Sequence, residues 1–377
     1  MRRRERCGKC GVPLLVSSEF EWQNNGVISL KRSPHNRIAL FESRIIDNLF
    51  KGIEELIGMS VEHIVIESRR REVKRYIEKS FPAWMIKPLV AVNEHLGGAF
   101  MLKHAVRAVR NPLGKSINKK VLDVGRVYGY GDVELGPLWS DGDQHPWRVN
   151  VIRNPHSVLF FAAEALASVE AFEGRDHWVR YESIDDDAYE YTAYPAEHPV
   201  ELKDWLKRRR YGFKPGDITF ERCPECGIPM EVARLEWDLD DGTVQDPESG
   251  RRMALIGPFS MDSVLHDLEA ELGPSIPDVV VEAQRKYVKS RIEGGYWRHG
   301  GTTFNRLAAL RGVGNITRFE ADEKRLSVNI ENSCMPLLVL GMAQAIYETA
   351  LGVESSTYKC RHDEDGDFEF TITLQRQ

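Results

Sequence analysis

CGKCGVPLLVSSEFEW, from Cys7 to Trp22, returns as CPECGIPMEVARLEW from Cys223 to Trp237, and this recurrence decides how the whole chain is read. The two stretches share both cysteines, the glycine after the second of them, the proline and a closing Glu-Trp pair. The likeness runs on through a Gly-containing turn, Asn24-Asn25-Gly26 against Asp240-Asp241-Gly242, into RIAL from Arg37 and RMAL from Arg252. VIESRRREVKRYI from Val65 then pairs with VVEAQRKYVKSRI from Val280 at a nearly constant offset. A repeat this long means duplicated domains rather than a solenoid of short units. The sequence therefore predicts an α+β chain made by internal tandem duplication. Its two pseudo-twofold-related units would each carry an antiparallel sheet, a buried helix and an N-terminal Cys-x-x-Cys knuckle.

The later parts diverge but remain alignable. Tyr128-Gly-Tyr-Gly matches Arg311-Gly-Val-Gly, and VNVIRNPHS from Val149 matches VNIENSCMP from Val328. Each of these strands ends on an asparagine and enters an apolar helix, expected over Ser157 to Phe172 and Pro336 to Leu351, with Asn154 and Asn332 as N-caps and Gly174 and Gly352 as the closing residues. Apolar residues nearly all the way round predict burial on most faces. A last strand follows in each copy, EYTAYP from Glu190 and EFTITL from Glu369. The expected organisation is a first copy over 1–200 (knuckle 7–41, ligand-binding-like unit 42–200), a linker over 201–220 with a short helix around Val200 to Arg210, and a second copy over 221–377 (knuckle 221–258, ligand-binding-like unit 259–377). The longer first copy owes its extra length mainly to Asn111 to Pro146, read in part as an inserted loop or lid.

Composition bounds the function. With 42% hydrophobic and 29% charged residues among 377, the chain is a folded protein rather than a disordered one. A net charge of -6 argues against a general nucleic-acid coat, and the basic runs Arg2 to Arg6 and Lys207 to Arg210 read as solvated charge. No apolar region follows the basic start, so no signal peptide is expected. The most apolar stretches fall short of the roughly 18 to 20 residues that span a bilayer, which predicts a cytoplasmic protein with no membrane partner.

In a reducing compartment, two Cys-x-x-Cys pairs favour metal or redox chemistry over disulfides. A structural zinc takes four protein ligands, and each copy supplies only two. The economical solution is one zinc shared by Cys7, Cys10, Cys223 and Cys226, the trace that a homodimeric ancestor with an interfacial ion would leave after gene fusion. Two separate sites completed by other ligands or a partner chain, a redox dithiol, and cysteines with only a packing role remain as alternatives. His156 and its counterpart Cys334 sit at the start of the buried helices, where either one would be placed to ligate a metal or haem. A buried Cys is more often a small hydrophobe, and a lone His a satisfied polar group. The same discount applies to Cys360. Trp84, Trp297 and Tyr128 are candidate lining for an apolar pocket, with core packing as the plainer reading. Glu67 and Arg70, repeated as Glu282 and Arg285, have the spacing of a helix-surface ion pair. No nucleotide-binding loop, hydrolase elbow or metalloprotease motif is present, so no catalytic residue is assigned.

Gly312-x-Gly314, LSVNIENS from Leu326, the apolar helix closed by Leu351-Gly352, Cys360 and FEFTI from Phe368 together resemble the 4-vinyl-reductase-like domain family. In the first copy Gly129-x-Gly131, VNVIRNP and the helix to Phe172 carry the same resemblance. It covers about half of each copy. It implies a fold whose helix and sheet enclose an apolar pocket for a small hydrophobic molecule or tetrapyrrole. The family's further cysteines around the last strands are matched only by Cys360. The expected function is thus a small-molecule binding or sensor protein with a shared structural zinc. An accessory enzyme or maturation factor for a tetrapyrrole or aromatic substrate, and a scaffold with a protein partner, are the alternatives.

Overall fold

The computed structural model of the chain describes residues 5–80, 123–134, 148–202, 212–292, 301–363 and 366–375. Trp84, Trp297, most of the Asn111 to Pro146 segment and most of the expected linker helix lie outside the described residues. The architecture is α+β, with antiparallel sheets and several helices.

In chain order the first half gives α1 (Leu14–Glu19), β1 (Phe20–Trp22), β2 (Ile28–Leu30), β3 (Ser33–Glu42), α2 (Ile45–Ile57), α3 (Glu62–Ser80), β4 (Asp132–Glu134), β5 (Val149–Arg153), α4 (Val158–Glu173), β6 (His177–Asp185) and β7 (Ala188–Pro195). The second gives β8 (Glu236–Asp238), β9 (Thr243–Asp246), β10 (Arg251–Ile256), α5 (Pro258–Leu272), α6 (Ile276–Lys289), α7 (Gly301–Leu310), β11 (Asn315–Ala321), β12 (Arg325–Glu331), α8 (Pro336–Leu351), β13 (Ser356–His362) and β14 (Phe368–Leu374). No described helix is long and apolar enough to cross a membrane.

The chain divides into two compact units. Unit 1 comprises Met1–Ser60, Leu206–Trp237 and Gln245–Gln377, and unit 2 comprises Val61–Trp205 and Asp238–Val244. Each draws on both halves of the sequence. One sheet runs in the order β1-β2-β3-β10-β9-β8, with β3 and β10 joining antiparallel so that Leu40 faces Leu255. A second, in unit 1, has the order β11-β12-β14-β13, and the sheet of unit 2 has the order β4-β5-β7-β6.

Period-two patterning explains the strands and apolar packing the helices. In FEFTITL, Phe368, Phe370 and Ile372 are buried while Glu369 and Thr371 face away, so one side of β14 meets α8 and the other does not. Each such side chain contributes about 1.5–3 kcal/mol by leaving water. Tyr347 of α8 lies in that core and donates its hydroxyl to the Asp322 carbonyl (2.7 Å). In unit 2, α4 packs on α3 and on the sheet through Leu166, Ile152, Val179 and Tyr191.

The helix starts differ from expectation. Asn154 and Asn332 are not N-caps; both adopt left-handed backbone (φ 54 and 52) and turn the chain before the helix. The cap of α4 is Ser157, whose Oγ accepts from the Phe160 amide (3.1 Å), and α8 begins after Met335 with no side-chain cap. Asn332 has other work, since its amide donates to the carbonyls of Asn25 (3.2 Å) and Lys214 (3.1 Å). Gly174 and Gly352 close the helices as expected, at φ 69 and 64.

Two hairpin tips seat on glycines far away in sequence. In unit 1 a Cβ on Gly26 would fall 2.2 Å from the Gly314 carbonyl, and in unit 2 a Cβ on Gly242 would fall 2.2 Å from the Gly131 carbonyl oxygen. All four glycines also have positive φ, so both the close approach and the backbone exclude a side chain.

Glu67 and Arg70 form more than a surface ion pair. Arg70 is buried and bonds Glu67 (2.8 and 2.5 Å) and also Glu170 of α4 (2.5 Å). In unit 1, Arg285 likewise bonds Glu282 (2.7 and 2.8 Å) and the fully buried Glu348 of α8 (2.7 Å). The reason is burial: a carboxylate on the core side of an apolar helix requires a cation to hold its charge.

Candidate metal centre

Cys7 and Cys10 flank one tight turn, Cys223 and Cys226 another. The turns have the same backbone. Gly11 N–H donates to the Cys7 carbonyl (3.0 Å) and Cys7 N–H to the Val12 carbonyl (2.9 Å); Gly227 and Cys223 repeat this at 2.9 Å and 2.9 Å. Gly11 and Gly227 both sit at φ 76, the left-handed conformation that ends such a turn. Both turns belong to unit 1.

The turns meet sulfur to sulfur. Cys7 Sγ lies 3.6 Å from Cys223 Sγ and Cys10 Sγ 3.4 Å from Cys226 Sγ, with all four sulfurs within 4.8 Å of one another. A disulfide needs about 2.05 Å, so these are four free thiols. Tetrahedral coordination with metal–sulfur bonds of about 2.3 Å sets sulfurs about 3.8 Å apart, within a few tenths of an ångström of the Cys7–Cys223 and Cys10–Cys226 separations. The four cysteines are thus placed to hold one metal ion.

Backbone amides prepare the Cys223 sulfur for negative charge. The amides of Cys226 and Glu225 act on Cys223 and draw its thiol down to about 7. Burial instead pushes Cys10 and Cys226 up, against the pull of the Val12 and Ile228 amides. Four thiolates crowded together without a cation would repel; a dication resolves this and leaves no open coordination position.

Arg6 and Arg222 lock the two turns across each other. Arg6 donates to the carbonyl of Gly11 in its own turn (3.0 Å) and to that of Trp237 (2.7 Å). Arg222 donates to the carbonyl of Gly227 (2.9 Å) and to that of Trp22 (2.5 Å). Reading Arg2 to Arg6 as solvated charge therefore missed the role of Arg6. The available signal was an arginine directly before the first cysteine of both pairs. Glu170 and Glu348 were also missed, although each stands four residues before the glycine that closes its helix.

The other candidates do not converge on one centre. His156 is buried, with its ring stacked on Tyr130 (centroids 3.9 Å), while Tyr128 lies against Tyr130 (5.4 Å). Cys334 is buried, its thiol pushed up by desolvation and donating to the Gly312 carbonyl (3.4 Å), as expected of a small hydrophobe with a weak donor. Cys360 is exposed on β13, the edge strand of its sheet. Compared with known proteins, the chain matches no family model, no curated protein and no solved structure.

Close to Cys334 in charge terms is Asp262 of α5, whose carboxyl burial pushes up to about 7 against the pull of Arg37. An unfolded aspartate ionises near 3.9, so the folded state holds this proton more tightly. Its stabilising contribution is full below about pH 4 and fades as the pH rises through 7. Asp262→Asn is expected to flatten the pH dependence of stability over that window and to leave the variant more stable than the wild type at pH 8. Urea unfolding at both ends of the window measures it, and an unchanged slope would refute the assignment.

Proposed function

We propose that the chain is an internally duplicated binding protein whose two halves are clamped by one structural zinc ion. The observation that carries this reading is the convergence of Cys7, Cys10, Cys223 and Cys226, two pairs 216 residues apart in sequence. Two further features support duplication from a homodimeric ancestor. The strand order of unit 2 repeats that of the second sheet in unit 1, and each hairpin tip seats on a glycine from the opposite half of the sequence. Zinc is the ion that four thiolates in a closed site favour. Free thiols at this spacing also suit a reducing, cytoplasmic setting.

The binding role follows from the resemblance to 4-vinyl-reductase-like domains and from the aromatic group around His156 in unit 2. The ligand is a small hydrophobic or tetrapyrrole-like molecule. Divergence favours the first copy as the binding one, because Tyr130 and His156 there stand against Val313 and Cys334 in the second. Metal analysis of the native protein is expected to find one tightly held zinc per chain. Cobalt substituted for it should give the thiolate-to-metal charge-transfer absorption of a sulfur site. Absence of that band would sink the clamp. Native mass spectrometry with no co-purifying molecule, together with no thermal shift from hydrophobic compounds or haem, would sink the binding role.

A further inference from the structure

We propose a second cation site, in unit 2 and open to solvent, where His198 Nε2, Glu170 Oε1 and Asp176 Oδ1 hold a divalent transition-metal ion of the zinc class together with water. The three donors come from separate segments: Glu170 from α4, Asp176 from the turn after it, and His198 from the irregular stretch after β7. They lie within 4.8 Å of one another, with His198 Nε2 2.7 Å from Glu170 Oε1 and 4.0 Å from Asp176 Oδ1. An imidazole with two carboxylates is a donor set that suits zinc-like ions, and three protein ligands leave positions for water.

The surroundings match what such a ligand set needs. The other ring nitrogen, His198 Nδ1, has the Glu67 carboxylate on its side at 3.7 Å, beyond hydrogen-bond distance. Glu170 is held through its other oxygen, Oε2, by Arg70 (2.5 Å) and Lys74 (3.2 Å), leaving Oε1 to the His177 amide (3.0 Å) and His198. Glu67, Glu170 and Asp176 bring three carboxylates to a cluster whose cations are Arg70 and Lys74. Asp176 is 64% exposed, which gives an ion a way in. Metal–ligand bonds of about 2.0–2.2 Å require His198 to move roughly half an ångström from Glu170, a shift that a segment outside any helix or strand accommodates.

Unit 1 supplies the internal control. Glu348 has the same arginine and lysine partners, Arg285 and Lys289, but its remaining oxygen accepts from the Ser356 hydroxyl (2.8 Å). The buried carboxylate network therefore stands without any histidine. His198 is the addition of unit 2, not part of what holds a helix to its neighbour, whereas Asp176 has an acidic counterpart in Glu354, two residues after Gly352.

The site is independent of the cysteine clamp and is tested on the full chain carrying its tightly held ion. Zinc titrated calorimetrically is expected to load one further, exchangeable ion per chain. His198→Ala should abolish that event, and Asp176→Asn, at a largely exposed position, should weaken it by about tenfold or more. Cobalt loaded here adds no thiolate charge-transfer band, which separates this site from the cysteines even if one of the two fails. Circular dichroism matching the wild type shows that the variants are folded. No further ion on the wild type, or unchanged binding in His198→Ala, overturns the proposal.

Discussion

A chain carrying both Cys10→Ser and Cys226→Ser is expected to lose the proposed zinc and to unfold at a markedly lower denaturant concentration than the wild type. An ion held by all four cysteines would act as a cross-link between segments 216 residues apart. On the loop-entropy argument, a link closing so long a loop is worth about 5 kcal/mol, a large share of the 5–15 kcal/mol that typically separates folded from unfolded. The loss should concentrate on unit 1, where the two turns and the strands that follow them meet. Wild-type protein stripped by a strong chelator should coincide with the double variant, and restoring zinc should rescue the first but not the second. A double variant as stable as the metal-loaded wild type would show that the cysteines hold nothing together.

Glu348→Ala is expected to cost about 3 kcal/mol, the low end of the range for breaking a buried ion pair. Glu348 is fully buried, whereas Arg285 and Lys289 keep 14% and 31% exposure, so water relieves part of the cost to the stranded cations. The Ser356 hydroxyl loses its acceptor as well. Glu348→Gln, which keeps one oxygen to accept from the cations while its amide NH2 donates towards the Ser356 hydroxyl, should cost less than Ala. A double-mutant cycle with Arg285→Met, followed by urea unfolding, isolates the coupling. If Glu348→Ala shifts stability by less than about 1 kcal/mol, the pair is incidental.

Much of the secondary structure was legible because its signals are local. The apolar runs at Ser157 to Phe172 and Pro336 to Leu351 lie within a residue of α4 and α8, and the alternation of EYTAYP and EFTITL falls within β7 and β14. Closing glycines mark a backbone conformation that a side chain resists, so Gly174 and Gly352 could be placed from sequence. Asparagine is less specific, because it favours both N-caps and left-handed turns; at Asn154 and Asn332 the turn won. The cysteine candidates were legible for another reason. Two half-complete ligand sets in one chain are short of partners, and only their meeting completes a site.

The sequence by itself determined which residues form helices and strands, which faces are apolar, and that two cysteine pairs recur with an arginine before each. These follow from side-chain periodicity, backbone preference and repetition, all properties of near neighbours along the chain. Tertiary structure alone decided that the four sulfurs converge within 4.8 Å, that hairpin tips seat on Gly314 and Gly131, and that Glu170 gathers Arg70, Lys74 and His198. Such contacts join segments tens to hundreds of residues apart. They depend on the mutual docking of buried faces and on the demand that buried charge and crowded backbone be compensated, which no local pattern encodes.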